Sequence, residues 1–225
     1  ALPVVIPNKF EDHPRTPQMR GSSEESRRAI AKIEGKQVVL YQGWLQPDRG
    51  LEEIADALSL LDEDLWLAVL SPETSECRDA MSILADRYPK TVYLGYVPSP
   101  LHLEVTSHAL IGIARYEPAS INNAFCAPNK IYEYAGFGIP MLCNDIPGLV
   151  ETVGCAGAGL CVDFSKTHDI AAAICGLSCC REEYGVRATG FFDATDTVGL
   201  VRSVVCEMGG ACAEKKGFDK KREEL

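Results

Sequence analysis

Six short apolar runs recur after residue 37, and segments with helical spacing separate them. The runs are 37–41 (Gln-Val-Val-Leu-Tyr), 65–70, 91–94, 108–114, 141–143 and 160–162. Their β-branched and aliphatic content predicts strands buried on both faces. Between them the spacing predicts helices at 51–61, 76–88, 101–106, 146–153 and 167–177, with Met81, Leu84 and Ala85 on the apolar face of the second. Two further helices are predicted at 181–190 and at about 196–208. Upstream, residues 4–6 read as a short strand and 9–22 as a polar loop. Ser23 is a candidate N-cap, with Glu24 and Glu25 in the first turn, Ala29, Ile30 and Ile33 on the inner face, and Gly35 as the stop.

Strand–helix alternation of this kind predicts an α/β fold, a doubly wound parallel sheet of about six strands with helices on both faces. Ligands of such sheets bind outside the carboxyl ends of the strands. The loops 43–50, 95–98, 115–130 and 144–148 all follow predicted strands, so they fall on one edge. There is no internal repeat and no Gly-x-Gly-x-x-Gly, which argues against an NAD-type dinucleotide site.

Composition narrows the class. With 46% hydrophobic and 24% charged residues the chain is ordinary for a soluble domain. No apolar run approaches bilayer length. The N-terminal Ala-Leu-Pro-Val-Val-Ile-Pro-Asn lacks the basic start and the length of a signal peptide. A net charge of −10 argues against broad binding to nucleic acid or to anionic membrane, while leaving room for a local basic pocket. Most of the ten cysteines sit in apolar contexts and read as small, reduced hydrophobes of a cytoplasmic protein. Cys175, Cys179 and Cys180 form the one cluster, and it lacks a second Cys/His pair at zinc spacing, so no metal site is expected. Asp62-Glu63-Asp64 precedes a strand, which places it at the edge away from the loops above, as a solvated turn. His102 and His108 lie at element boundaries without a partner motif and read as structural or exposed.

The chemistry concentrates in residues 120–145. Polar residues lead to Pro128, which suits a helix first turn. Ile131, Tyr134 and Ala135 follow at helical spacing, Gly136 and Gly138 end the run, and Pro140 opens the strand at 141. A helix start beside a sheet offers amides and a positive dipole end to a phosphate. Lys130 adds a cation there, and Glu133, one turn on, could accept hydrogen bonds from sugar hydroxyls. In the first loop, Gly43 permits close backbone approach, and Arg49-Gly50 sets a cation against the start of the next helix, which an anion would explain. The physics supports an anion-plus-hydroxyl ligand, and equally an ordinary βα turn with surface charges.

Pro128-Asn129-Lys130-Ile131-Tyr132-Glu133-Tyr134, followed by Gly138-Ile139-Pro140, closely resembles the donor-site segment of GT-B glycosyltransferases of the family 4 type (glycosyl transferases group 1). Residues 40–52 resemble that family's first donor loop, and the resemblance runs over roughly 37–190. It implies a Rossmann-like domain, the C-terminal half of a GT-B fold, occupying 37–210. Residues 1–36 would then be a linker or remnant of a preceding domain, and 211–225 a charged tail.

The resemblance also implies roles. Glu133 would hold the ribose. Arg49 and Lys130, with the amides after Pro128 and Asn129, would stabilise the leaving diphosphate. Gly43, Gly50, Asn123 and Phe125 would line the donor pocket, and Tyr96-Val97 would read the base edge. At Phe125 the family often carries a second glutamate that contacts the transferred sugar, so the sugar contact departs from the pattern here. The implied reaction is metal-independent transfer of a sugar from a UDP-, GDP- or ADP-sugar to a hydroxyl, with retention and no further cofactor. The sugar or lipid-linked acceptor, and any peripheral membrane contact, would belong to a second, N-terminal domain, so this chain alone is expected to be inactive. Cell-envelope polysaccharide synthesis in the cytoplasm is the implied setting. Two alternatives stay open: a non-catalytic nucleotide-binding module, and a nucleotide-sugar epimerase of the same fold. The residues name neither base, sugar nor acceptor.

Overall fold

Val38 and Leu40 join one apolar cluster of the protein, while Val39 and Tyr41, between and after them, join another. That alternation is the signature of a central strand buried on both faces. The computed structural model describes residues 6–46 and 49–206. Its strands are β1 (Gln37–Gln42), β2 (Leu65–Leu70), β3 (Thr91–Gly95), β4 (Ile111–Ala114), β5 (Met141–Asn144) and β6 (Gly159–Val162). They form one parallel sheet in the order β3-β2-β1-β4-β5-β6. The fold is therefore the predicted α/β, Rossmann-like, six-stranded doubly wound sheet. The strand order reverses between β1 and β4, and their carboxyl ends open a crevice at that point.

One face carries α1 (Glu24–Ile33), α4 (His102–Thr106), α6 (Asn129–Gly136) and α9 (Arg181–Ala194). The other carries α2 (Leu51–Ser59), α3 (Ser75–Arg87) and α8 (Thr167–Cys179). Ser23 caps α1 in a reciprocal box with Ser26. A single-turn α5 (Ile121–Ala124) interrupts the stretch expected to be loop, because Ser120 accepts from the Asn123 amide at 3.2 Å. The fourth strand starts at Ile111, three residues later than expected. The amides of His108 and Ala109 bond back to Val105 and Thr106 and close α4 instead. The helix expected at 146–153 is a short α7 (Pro147–Leu149) that widens into a π turn, Val150–Gly154, with the Cys155 amide bonded to Val150 five residues back. Residues 197–206 are helical. The expected strand at 4–6 falls on residues outside the described range except for Ile6, which is in no strand. The charged tail at 211–225 lies outside the described residues.

Residues 9–36 pack on this domain. Ala29 and Ile33 are buried in the core. Lys9 donates to the carbonyls of Phe192 and Thr195. His13 sits edge-on to Phe137 and Phe192 and bonds the Glu133 carbonyl through Nε2 at 2.9 Å.

The seat of α6 on the sheet is set by Gly112 in β4. A Cβ there would lie 2.4 Å from the Tyr134 ring, whose hydroxyl donates to the Leu40 carbonyl at 2.9 Å. Overpacking of this kind costs about 1–3 kcal/mol or more. Gly112→Ala should therefore lower the urea midpoint at unchanged slope. An unchanged midpoint would show that α6 is not held this tightly.

Candidate functional site

At the reversal of strand order a cleft of about 480 Å³ opens. Its lining comes from four strand ends or the loops after them: Gln42, Gly43 and Trp44 after β1, Ser71 and Pro72 after β2, Tyr96 and Val97 after β3, and Tyr116 after β4. His102 from α4, and Pro128, Asn129, Lys130 and Glu133 from the start of α6, complete it. Pro128 is the N-cap of α6 and not its first-turn residue, with φ −73° and ψ 152°. No side chain caps this helix, which leaves its first amides without a side-chain acceptor.

Glu133 is held in place. Its Oε1 lies 3.2 Å from Nε2 of His102, and its Oε2 accepts from Nε2 of Gln42. Gln42 is fixed in turn by Thr106, whose hydroxyl donates to Gln42 Oε1 at 2.6 Å. His102, expected to be structural or exposed, thus belongs to the cleft, and its buried Nδ1 has no hydrogen-bond partner. Neither His102 nor Gln42 carries a motif that the sequence alone could reveal. Both are brought in by the short α4 and by the last residue of β1. His108 is structural, bonding the Met19 carbonyl.

Lys130 is buried, at 8% exposure, with Nζ 4.4 Å from the Tyr41 ring centre and 5.3 Å from that of Tyr116. Burial, and then the nearby Arg49 guanidinium, push its pKa down to about 7. Gly43 has φ +118°, and a Cβ there would stand 3.3 Å from Lys130 Nζ. The glycine therefore keeps open the space in front of the ammonium.

Arg49 is also buried. Its guanidinium carbon lies 4.7 Å from the Tyr116 ring centre, and it donates to Gln46. Tyr116 was not singled out by sequence reasoning, yet it lies against both cations. Burial raises its hydroxyl to about 12, so it stays protonated. Its backbone is tied to the end of β5 by both ends of the Asn144 amide.

Of the remaining expected residues, Tyr96, Val97 and Asn129 line the cleft. Arg49, Gly50, Asn123 and Phe125 are not among the described residues lining the cleft. Gly50, at φ +67°, packs beneath Phe164 and Arg115, where a Cβ would be 3.0 Å and 3.3 Å from their atoms. Asn123 uses its side-chain amide to bond the Glu117 carbonyl at 3.0 Å. Phe125 is 60% exposed at the end of α5. Asn129 presents its side chain to Asn8. Val97 is buried, and Tyr96 is exposed at the rim. A second, apolar cavity of about 550 Å³ lies between α2 and α3 and shares Trp44 with the cleft. Of the nine described cysteines, Cys77 and Cys143 are buried, but Cys155, Cys179, Cys180 and Cys206 are exposed, so the expectation of apolar surroundings holds only in part.

A cleft at the topological switch of a doubly wound sheet is where open α/β sheets bind their ligands. Among solved structures the chain has the fold of the C-terminal half of GT-B glycosyltransferases. It is similar to the α,α-trehalose 6-phosphate synthase of Burkholderia multivorans at TM-score 0.65 and 12% identity, over 88% of this chain and 47% of that one. It is similar to the sucrose-phosphate synthase of Thermosynechococcus elongatus at TM-score 0.63 and 17% identity, over 90% and 51%. It is also similar to Anabaena HepE in complex with UDP and glucose, at TM-score 0.65 and 14% identity, over 85% and 54%. The chain thus spans about half the length of these solved structures. No protein-family model and no curated protein matches the sequence. No helix among the described residues is long and apolar enough to cross a membrane.

Proposed function

We propose that the cleft binds a nucleotide-sugar donor, and that the domain serves a glycosyltransferase which passes the sugar to a hydroxyl acceptor with retention. The observation that carries this reading is the pairing of Lys130 and Glu133, three residues apart at the uncapped start of α6, on one cleft opposite Gly43. The first supplies a cation and amides to a diphosphate, and the second a fixed carboxylate to ribose hydroxyls. One structural neighbour was solved with UDP and glucose, which agrees with a ligand of this class.

The leaving diphosphate would gather charge as the glycosidic bond breaks. Lys130 and the α6 amides would meet it directly, with Arg49 adding its field from behind Tyr116, so that fixed cations stabilise the departing group without a divalent ion. Tyr96 and the backbone at Val97 would border the base. The acceptor would be supplied by a second domain, and the chain alone would bind donor without transferring it. Phe125 favours a second reading, a nucleotide-binding module without transfer, because it leaves no carboxylate at the position the family uses for the sugar. Fusion to an acceptor domain separates the two: turnover supports the transferase, and binding without turnover supports the module.

The binding claim is tested by calorimetric titration with UDP, GDP and ADP. One of the three is expected to bind at least tenfold tighter than the others, which identifies the base. Equal affinities would show that the rim at Tyr96 and Val97 does not read it.

A further inference from the structure

We propose that Glu63, Cys175 and Cys179 form a site for a zinc-type divalent ion at the amino-terminal edge of the sheet, the edge opposite the donor cleft. Glu63 lies in the turn entering β2, and the two cysteines lie one turn apart on one side of the C-terminal end of α8. One ligand atom from each falls within 4.8 Å of the others. The two Sγ atoms are 4.0 Å apart. Tetrahedral zinc with Zn–S bonds of about 2.3 Å separates two thiolates by about 3.8 Å, so the pair already stands near its bound spacing.

Three further features agree. Ser178, between the cysteines, donates to Glu63 Oε2 at 3.2 Å and orients the carboxylate, as outer-shell groups do at metal sites. The last turn of α8 carries no basic residue, the nearest in sequence being Arg181 at the start of α9, and its negative dipole end favours a cation. Lys90, the neighbouring ammonium, goes to Asp64 and to the Glu63 backbone carbonyl, not to the Glu63 carboxylate. Two thiolates and one carboxylate select a borderline-soft ion over magnesium or calcium. Cys179 is exposed, so the site is open to solvent on its side, and the ion would pin the end of α8 to the α2–β2 turn. Sequence spacing could not show this, because the third ligand lies more than a hundred residues away from the cysteines.

The test is titration of the reduced full chain with Co(II), then with Zn(II) in competition. One equivalent of cobalt should give a thiolate charge-transfer band that zinc abolishes, and saturating zinc should raise the Tm. Cys175→Ser with Cys179→Ser should weaken zinc binding at least 100-fold. Glu63→Gln, with both thiols intact, should weaken it about tenfold or more and alter the cobalt ligand-field spectrum. Cys180→Ser should change nothing. A charge-transfer band that survives the double substitution, or a Glu63→Gln protein with unchanged affinity and spectrum, overturns the proposal.

Discussion

Glu133→Ala should weaken binding of the preferred ribonucleoside diphosphate by at least about 100-fold, the minimum expected for two charge-assisted hydrogen bonds of about 1.5–3 kcal/mol each. The carboxylate does not have to be recruited. His102 and Gln42 already hold it, and Thr106 holds Gln42, so little ordering cost is left for the ligand to meet. The effect should be specific to the sugar hydroxyls. A 2′,3′-dideoxy nucleotide should bind wild type and variant about equally, whereas the ribonucleotide distinguishes them. Glu133→Ala also leaves His102 Nε2 and the Gln42 amide without their partner, so circular dichroism and the urea midpoint must show the variant folded. Equal loss for ribo- and dideoxy-ligands would contradict the assignment of Glu133 to the ribose.

Lys130→Met should weaken diphosphate binding by about 30- to 150-fold, as expected for a charge-assisted contact of about 2–3 kcal/mol. The same change should stabilise the unliganded protein. The sign follows from linkage. The folded pKa, about 7, lies below the unfolded value of about 10.4. Between them the unfolded chain carries one more proton, so stability rises with pH across that window and the full cost of burying the charge applies below it. Lys130→Met removes that desolvation cost, so the urea midpoint of the variant should exceed that of the wild type most at and below pH 7.

Binding should follow the opposite trend. A nucleotide-sugar, whose diphosphate has no ionisation in this range, should bind with proton uptake above pH 7. Its affinity should fall as pH rises, by up to tenfold per unit, until the pKa of Lys130 in the complex is passed. In Lys130→Met that slope should vanish. A wild-type affinity flat from pH 6 to 9 would show that Lys130 does not meet the phosphates.

The sheet was legible because a doubly buried parallel strand writes itself as an unbroken aliphatic run, as at Leu65–Leu70, where expected and observed limits coincide. Boundaries failed where side chains or turns compete with the ladder. Ser120 converts a loop into α5, and the closing turn of α4 takes the first residues of β4. The cleft was half legible. Pro128, Lys130 and Glu133 share one helix start, so local spacing brings them together. Gln42, His102 and Tyr116 reach the cleft from three other elements, and nothing in their own neighbourhoods marks them. Arg49 and Gly50 were noticed for a charge and a glycine that the structure spends largely on packing beside Tyr116, Phe164 and Arg115. Asn123 likewise serves the backbone of its own loop.

The most direct test of the account is an amide NMR titration of the chain with a nucleotide-sugar carrying the preferred base. The account predicts saturable shifts confined to Gln42–Gly43, Tyr96–Val97 and the Asn129–Glu133 turn, lost in the Lys130→Met and Glu133→Ala proteins. Shifts centred elsewhere, or none at millimolar ligand, would contradict a donor site at the head of α6.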